Sequence, residues 1–204
     1  MKIIFATTNN GKMEEVRDIL GDLDMEIFSL EEVGISIVIE ENGTTFEENA
    51  LIKARTIFKL CPGELVLADD SGLEIDILDK EPGIHSARYL GEMTSYEEKN
   101  RTILERLEGV ETKDRTARFV CVIAAILPNG KEMVCRATLE GRIAESAAGS
   151  NGFGYDPIFW VSGCNCTSAE LTIEEKNKRS HRGQALRLMK DNIRGCIDAI
   201  SDCK

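Results

Sequence analysis

Strand-like and helix-like segments alternate along this chain, and that alternation restricts it to an α/β architecture more firmly than any other feature. "KIIFAT" is a short apolar run of strand type, and Met13, Val16, Ile19 and Leu20 share one face of a helix expected from about Gly11 to Leu20. "MEIFSL" supplies a second strand. Thr45 opens the next helix, with Glu48 completing a capping box and Phe46, Ala50, Ala54, Ile57 and Phe58 forming its apolar stripe through about Leu60. "ELVLA" and "GLEIDIL" read as two strands, with Gly72 reversing or kinking the chain between them. Ser95 caps a helix through about Leu107. "TARFVCVIAAILPNGKEMVCRATLEGRI" reads as a long hairpin turning at Pro128, Asn129 and Gly130. "DPIFWV" is a short strand, and a last helix from about Gly183 to Ile200 turns Ala185, Leu186, Met189, Ile193, Cys196, Ile197 and Ile200 inward. The sum is an α/β domain with a mixed sheet covered by helices.

With 204 residues, the chain suits one large domain or two small ones. Its net charge of −11 argues against nucleic acid or a membrane surface as partner, since both are anionic. A local cluster of Lys, Arg and a divalent cation would still admit a small phosphorylated ligand. The apolar run after Lys2 is too short for a signal segment, and no run approaches a transmembrane length. Seven cysteines, an odd number scattered through apolar stretches, suit a reduced, cytoplasmic protein. Cys164 and Cys166 lack a second Cys pair or a His at zinc spacing.

Five stretches carry chemistry. "ATTNNGKMEE" lies where a strand meets a helix, so it is either a capped helix start or an anion site with Lys12 as its positive charge. It is not a Walker A loop, because Met13 stands where Ser or Thr should follow the lysine. "ADDSG" places two carboxylates, Asp69 and Asp70, at the end of an apolar run, as a turn or as a metal site. Glu40 and Glu41 precede a glycine turn, as solvated charges or ligands. "GSNGFGYDPIF" is a glycine-rich loop in which Phe153 or Tyr155 could stack on a base. "EEKNKRSHRGQA" is basic within an acidic protein, with Ser180 as a helix cap and His181 and Arg182 able to donate to a carbonyl or phosphate.

"TTNNGK", "FEENALIKA", "ADDSGL", "PGIHSARY", "FGYDPIF" and "SHRGQAL" occur in the order and spacing of the Ham1/inosine triphosphate pyrophosphatase family, and the chain resembles that family from Ala6 to about Leu186. The resemblance implies an elongated α/β fold, one domain over residues 1–204 with two lobes around an active-site cleft, and a homodimer. It implies Mg²⁺-dependent hydrolysis of ITP, dITP and XTP to the monophosphate and pyrophosphate. Thr7, Thr8, Asn9, Asn10, Gly11 and Lys12 match the triphosphate-binding block. Asp70 matches the catalytic and metal-binding carboxylate, Glu40 a second metal carboxylate and Ser71 a substrate contact. Phe153, Gly154, Tyr155 and Asp156 match the nucleoside block, and Lys176, His181 and Arg182 the remaining base and phosphate contacts. Lys12 and Lys53 are the candidates to hold the leaving pyrophosphate. Asn151 stands where such loops commonly have glycine. The rival readings are a Maf-like pyrophosphatase with another nucleotide preference and a nucleotide-binding module without turnover. "SHRGQAL" and "FGYDPIF" speak against the first, and the set Asp70, Glu40 and Lys12 against the second.

Overall fold

The computed structural model describes residues 2–7 and 9–201. Thr8 lies outside the described residues, as do the side chains of Asn10, Ile197 and Ile200. The chain runs β1 (Lys2–Phe5), α1 (Asn10–Leu20), β2 (Glu26–Ser29), α2 (Phe46–Leu60), β3 (Leu65–Ile75), α3 (Tyr96–Arg106), β4 (Thr116–Ile126), β5 (Glu132–Ile143), β6 (Phe159–Val161), α4 (Ile173–Arg179) and α5 (His181–Ser201), with short 3₁₀ turns between. The strands form one six-stranded mixed sheet in the order β2-β1-β3-β4-β5-β6. β1 pairs in parallel with β2 (Lys2 opposite Glu26) and with β3 (Ile3 opposite Leu65), while β5 and β6 are antiparallel.

The chain divides into two compact units. The first comprises residues 1–70, 121–137 and 182–204. Its core joins Ile3 and Phe5 of β1, Val16 and Leu20 of α1, Leu65 and Leu67 of β3, and Leu186, Met189 and Ile193 of α5. These are the periodic positions of the sequence, and their burial from water is the main favourable term holding the helices to the sheet. The second unit comprises residues 71–120 and 138–181. Leu73, Ile75, Ile103, Leu107, Phe119, Tyr155, Ile158 and Phe159 form its core. Arg115 is buried there and donates to the carbonyls of Leu107, Ile143 and Ala144, so every edge of its guanidinium finds an acceptor.

The Thr45 and Ser95 caps follow the sequence, and Asn9 caps α1. Asn9 accepts from the Lys12 amide, Thr45 from Glu48 and Ser95 from Glu98. The hairpin turn closes through Leu127 and Lys131. Of the expected reversal or kink at Gly72 between two strands, the reversal is corrected: β3 is one strand from Leu65 to Ile75 through Asp69, Asp70, Ser71 and Gly72. Turn composition loses here because the two carboxylates meet basic side chains instead of water, so the strand continues through them. The strand expected over "GLEIDIL" ends at Ile75, and Asp76–Leu78 is a 3₁₀ turn. The last helix starts at His181 rather than Gly183. α4 was not expected, although its Thr172–Glu175 capping box is legible in "TIEE".

Candidate active site

In the first unit, four basic and acidic segments meet around the middle of β3. Asp69 and Asp70 are 2% and 7% exposed. Lys12, in the first turn of α1, donates to Asp69 Oδ2 at 2.8 Å. Arg182, in the first turn of α5, lies with its Nε 3.4 Å from the same oxygen and its other arm 2.9 Å from Glu15 of α1. Burial alone would raise the Asp69 pKa, but Lys12, Arg182 and Lys53 overcome it and hold the carboxyl well below the usual range. Asp69 is therefore a charged hub that ties α1 and α5 to β3.

Asp70 has the opposite character. Burial pushes its pKa up to about 6, against the pull of Lys53 and with further help from Glu41 and Asp69. Lys53 Nζ lies 2.9 Å from Glu41 and 3.4 Å from Asp70. Burial lowers the Lys53 pKa, yet Asp70, Asp69 and Glu41 win and leave it raised. Two adjacent carboxylates thus titrate far apart, the pattern of a pair given different tasks. Glu41 sits on the loop before α2, and Asn49 of α2 pins that loop by accepting from the Gly43 amide at 2.9 Å. A Cβ at Gly43 would come within 2.7 Å of the Asn49 side chain, so only glycine fits this approach. Glu40 is exposed, and the carboxylate beside Lys53 and Asp70 is Glu41.

At the start of α1, the Thr7 hydroxyl accepts from the Asn9 amide at 3.2 Å. Gly11 is exposed and Lys12 half-buried, so the helix N-terminus offers amides and one ammonium. Asn10 is its first helical residue. Ser71 is half-buried, next to Asp70 on β3.

In the second unit, Asp156, Ser168, Lys176, Ser180, His181 and Phe119 line a depression that is partly open to solvent. The His181 ring stacks on Phe119, with centroids 5.0 Å apart and planes 18° apart. Buried Asp156 accepts from Lys176 at 2.5 Å and from the Phe153 amide at 2.8 Å. Lys176 also lies 5.0 Å from the centre of the half-exposed Phe153 ring. Gly152 has φ +77°, and a Cβ there would strike Asp156 at 2.3 Å, so this loop requires glycine to close on its own carboxylate. Tyr155 is buried and donates to the Ser86 carbonyl at 2.7 Å.

The sequence candidates therefore fall into two groups. Lys12, Lys53, Asp70 and Arg182 converge in the first unit, and Phe153, Asp156, Lys176 and His181 in the second. His181 and Arg182 are neighbours in sequence, yet one joins the aromatic depression and the other the carboxylate hub. Sequence reasoning passed over Glu15, Asn49, Phe119 and Ser168, and took Ser180 only as a cap. Ser180, Asn49 and Glu15 carried a sequence signal, their places in "SHRGQAL", "FEENALIKA" and "ATTNNGKMEE"; Phe119 and Ser168 are ordinary residues until tertiary packing aligns them.

The Ham1 family pattern matches residues 3–192. A dITP/XTP pyrophosphatase of Clostridium perfringens is 46% identical over 201 residues, covering 96% of this chain and 98% of that protein. One from Exiguobacterium is 49% identical over 193 residues, covering 95% and 97%. The solved Ham1 protein of Staphylococcus aureus superposes with a TM-score of 0.87 at 40% identity, over 96% of this chain and 99% of that one. The Ham1 protein of Coxiella burnetii gives 0.87 at 42% identity over 96% and 99%. On its sequence, its fold and the residues those relatives share along nearly their whole length, the chain belongs to the Ham1 family.

Proposed function

We propose that this protein hydrolyses non-canonical purine nucleoside triphosphates (ITP, dITP and XTP) to the monophosphate and pyrophosphate, removing them from the nucleotide pool. The observation that carries the reading is the likeness, along nearly the whole chain, to proteins named dITP/XTP pyrophosphatases, with Asp69 and Asp70 set among Lys12, Lys53 and Arg182. Water attacks the α-phosphorus and pyrophosphate leaves. Such a reaction needs positioning and charge neutralisation above all. In this account the Asp70 carboxylate, set beside Lys53, orients and deprotonates that water. Lys12, the α1 amides and Lys53 take the triphosphate and stabilise the departing charge. Asp69 touches no substrate in this account; it holds Lys12 and Arg182 at their stations.

The donor set fits Mg²⁺. Asp70 and Glu41 already share one cation, the Lys53 ammonium, and both offer the hard oxygens that Mg²⁺ takes together with phosphate and water. We assign the metal to Asp70 with Glu41, in place of the Glu40 that the family resemblance points to. When bound, the metal supplies Lewis-acid polarisation of the phosphate.

In the second unit, Phe153 and the His181–Phe119 stack provide faces for the base, and Lys176, Ser180 and His181 provide donors. Donors placed for a 6-keto oxygen meet another donor when adenine enters, and such mismatches reject by ~10⁴–10⁵. A homodimer in the cytoplasm completes the proposal. The test is a nucleotide panel with Mg²⁺, assayed for pyrophosphate. ITP, dITP and XTP are expected to give the monophosphate and pyrophosphate, with ATP and GTP slow. Orthophosphate and a diphosphate from ITP would refute the reading.

A further inference from the structure

Asn100, in the second turn of α3, was singled out by no motif, yet it is 7% exposed and its Nδ2 donates to the Gly154 carbonyl at 3.0 Å. Gly154 has φ +70° and sits in the middle of the Phe153–Asp156 loop. The same face of α3 meets this loop twice more. Tyr96 packs edge-on against Tyr155, with centroids 5.3 Å apart and planes at 89°, and a Cβ at Gly154 would lie 3.5 Å from the Tyr96 ring. Lys99 is 1% exposed; its ammonium lies 4.7 Å from the Tyr96 ring centre and donates to the Ala87 carbonyl at 2.6 Å. Tyr96 is thus held between Lys99 on its face and Tyr155 across its edge, and the Ala87 anchor continues through Ser86 to the Tyr155 hydroxyl.

The cost of this arrangement is informative. Asn100 Oδ1 is buried and finds no hydrogen-bond partner among the described residues. A buried amide with half of its capacity unused is a poor choice for stability alone, because its desolvation is uncompensated. Its bond goes to a loop that Asp156 closes from within and Tyr155 ties to Ser86, and it is made directly to the Gly154 carbonyl. A left-handed glycine is the residue whose peptide planes rotate most easily, so an external bond to its carbonyl is what selects one orientation.

We propose that Asn100 is a positioning residue for nucleoside recognition: by fixing the Gly154 carbonyl it sets the peptide orientation of the Phe153–Asp156 loop, with Tyr96 and Lys99 bracing the same loop from α3. The proposal rests on the nucleoside-binding role assigned above to that loop. Asn100 touches no reacting atom, and the phosphate contacts of Lys12 and Lys53 lie in the other unit. Its loss should therefore weaken nucleoside binding and spare the chemical step.

The test uses Asn100→Asp, which keeps the shape and turns the donor into an acceptor, and Asn100→Ala. In the ligand-free protein, hydrogen exchange at the Phe153 and Asp156 amides, which donate to the Asp156 carboxylate and the Phe153 carbonyl, should accelerate about tenfold or more while exchange in the first unit is unchanged. KM for ITP should rise about tenfold with kcat within about threefold, and inhibition by inorganic triphosphate should stay at the wild-type level. Unchanged exchange at those amides would overturn the proposal. So would an unchanged KM, or a parallel loss of ITP and triphosphate binding, which marks a general structural role. Failure of both variants to fold would assign Asn100 to stability and overturn it too. If the wild-type protein releases no pyrophosphate from ITP, the functional reading fails, and amide exchange alone then decides the positioning role.

Discussion

At the scale of single residues, Asp70 is the most informative group. Its pKa is raised from the usual 3.8 to about 6, so the folded state binds the proton more tightly than the unfolded chain. Stability of the metal-free protein therefore falls as pH rises from about 4 to about 6, by about 3 kcal/mol from this group. Asp70→Asn removes that penalty. The variant should melt at a higher temperature than the wild type at pH 8, and the difference should vanish near pH 4. Turnover should fall about a thousandfold or more. Added Mg²⁺ should raise the melting temperature of the wild type and leave the variant where it was, because only ligands bound to the native state stabilise it. Equal melting temperatures at pH 8 would show that the carboxylate carries no burial penalty. Asp69 behaves oppositely: its lowered pKa contributes stability at neutral pH that is lost on acidification. Lys12→Ala leaves Asp69 buried with one cation fewer. It should cost about 1–3 kcal/mol in urea melts as well as raising KM, whereas removal of a solvated phosphate contact would change KM alone.

At the scale of elements, α1, α2, α3 and α5 were legible, while α4 and the continuity of the central strand were not. α1 announces itself by an apolar stripe, α3 by its Ser95 cap and α2 by both, all local in sequence. β3 hides itself, because Asp, Ser and Gly favour turns unless a lysine from α1 and another from α2 reach them from 57 and 17 residues away. No local pattern encodes those partners. α4 was missed for the converse reason: its seven residues are too few to show a stripe, although its capping box was in view. Thr172→Ala should therefore loosen α4, lowering stability by about 1 kcal/mol. Because Lys176 rides on α4 and holds Asp156, KM for ITP should rise as well. An unchanged KM would separate the helix from the nucleoside loop.

For the molecule as a whole, the six sequence blocks point to the candidate site through different kinds of backbone: "TTNNGK" lies at a strand–helix junction and "FGYDPIF" at a glycine turn, while "FEENALIKA" lies within α2 and "ADDSGL" within β3. What stayed hidden was the partition. Asp69 and Asp70 are adjacent, yet one serves the basic hub and the other faces Glu41 and Lys53. His181 and Arg182 are adjacent, yet they belong to different groups. Alternation along a strand and rotation along a helix decide such outcomes only once the register is known. The same holds for Glu40 and Glu41. The central claim, attack of an Asp70-activated water on the α-phosphorus, is tested most directly by a single turnover of ITP in water enriched in heavy oxygen. The account predicts the heavy oxygen in the monophosphate, with none in pyrophosphate. Label in the pyrophosphate would contradict it.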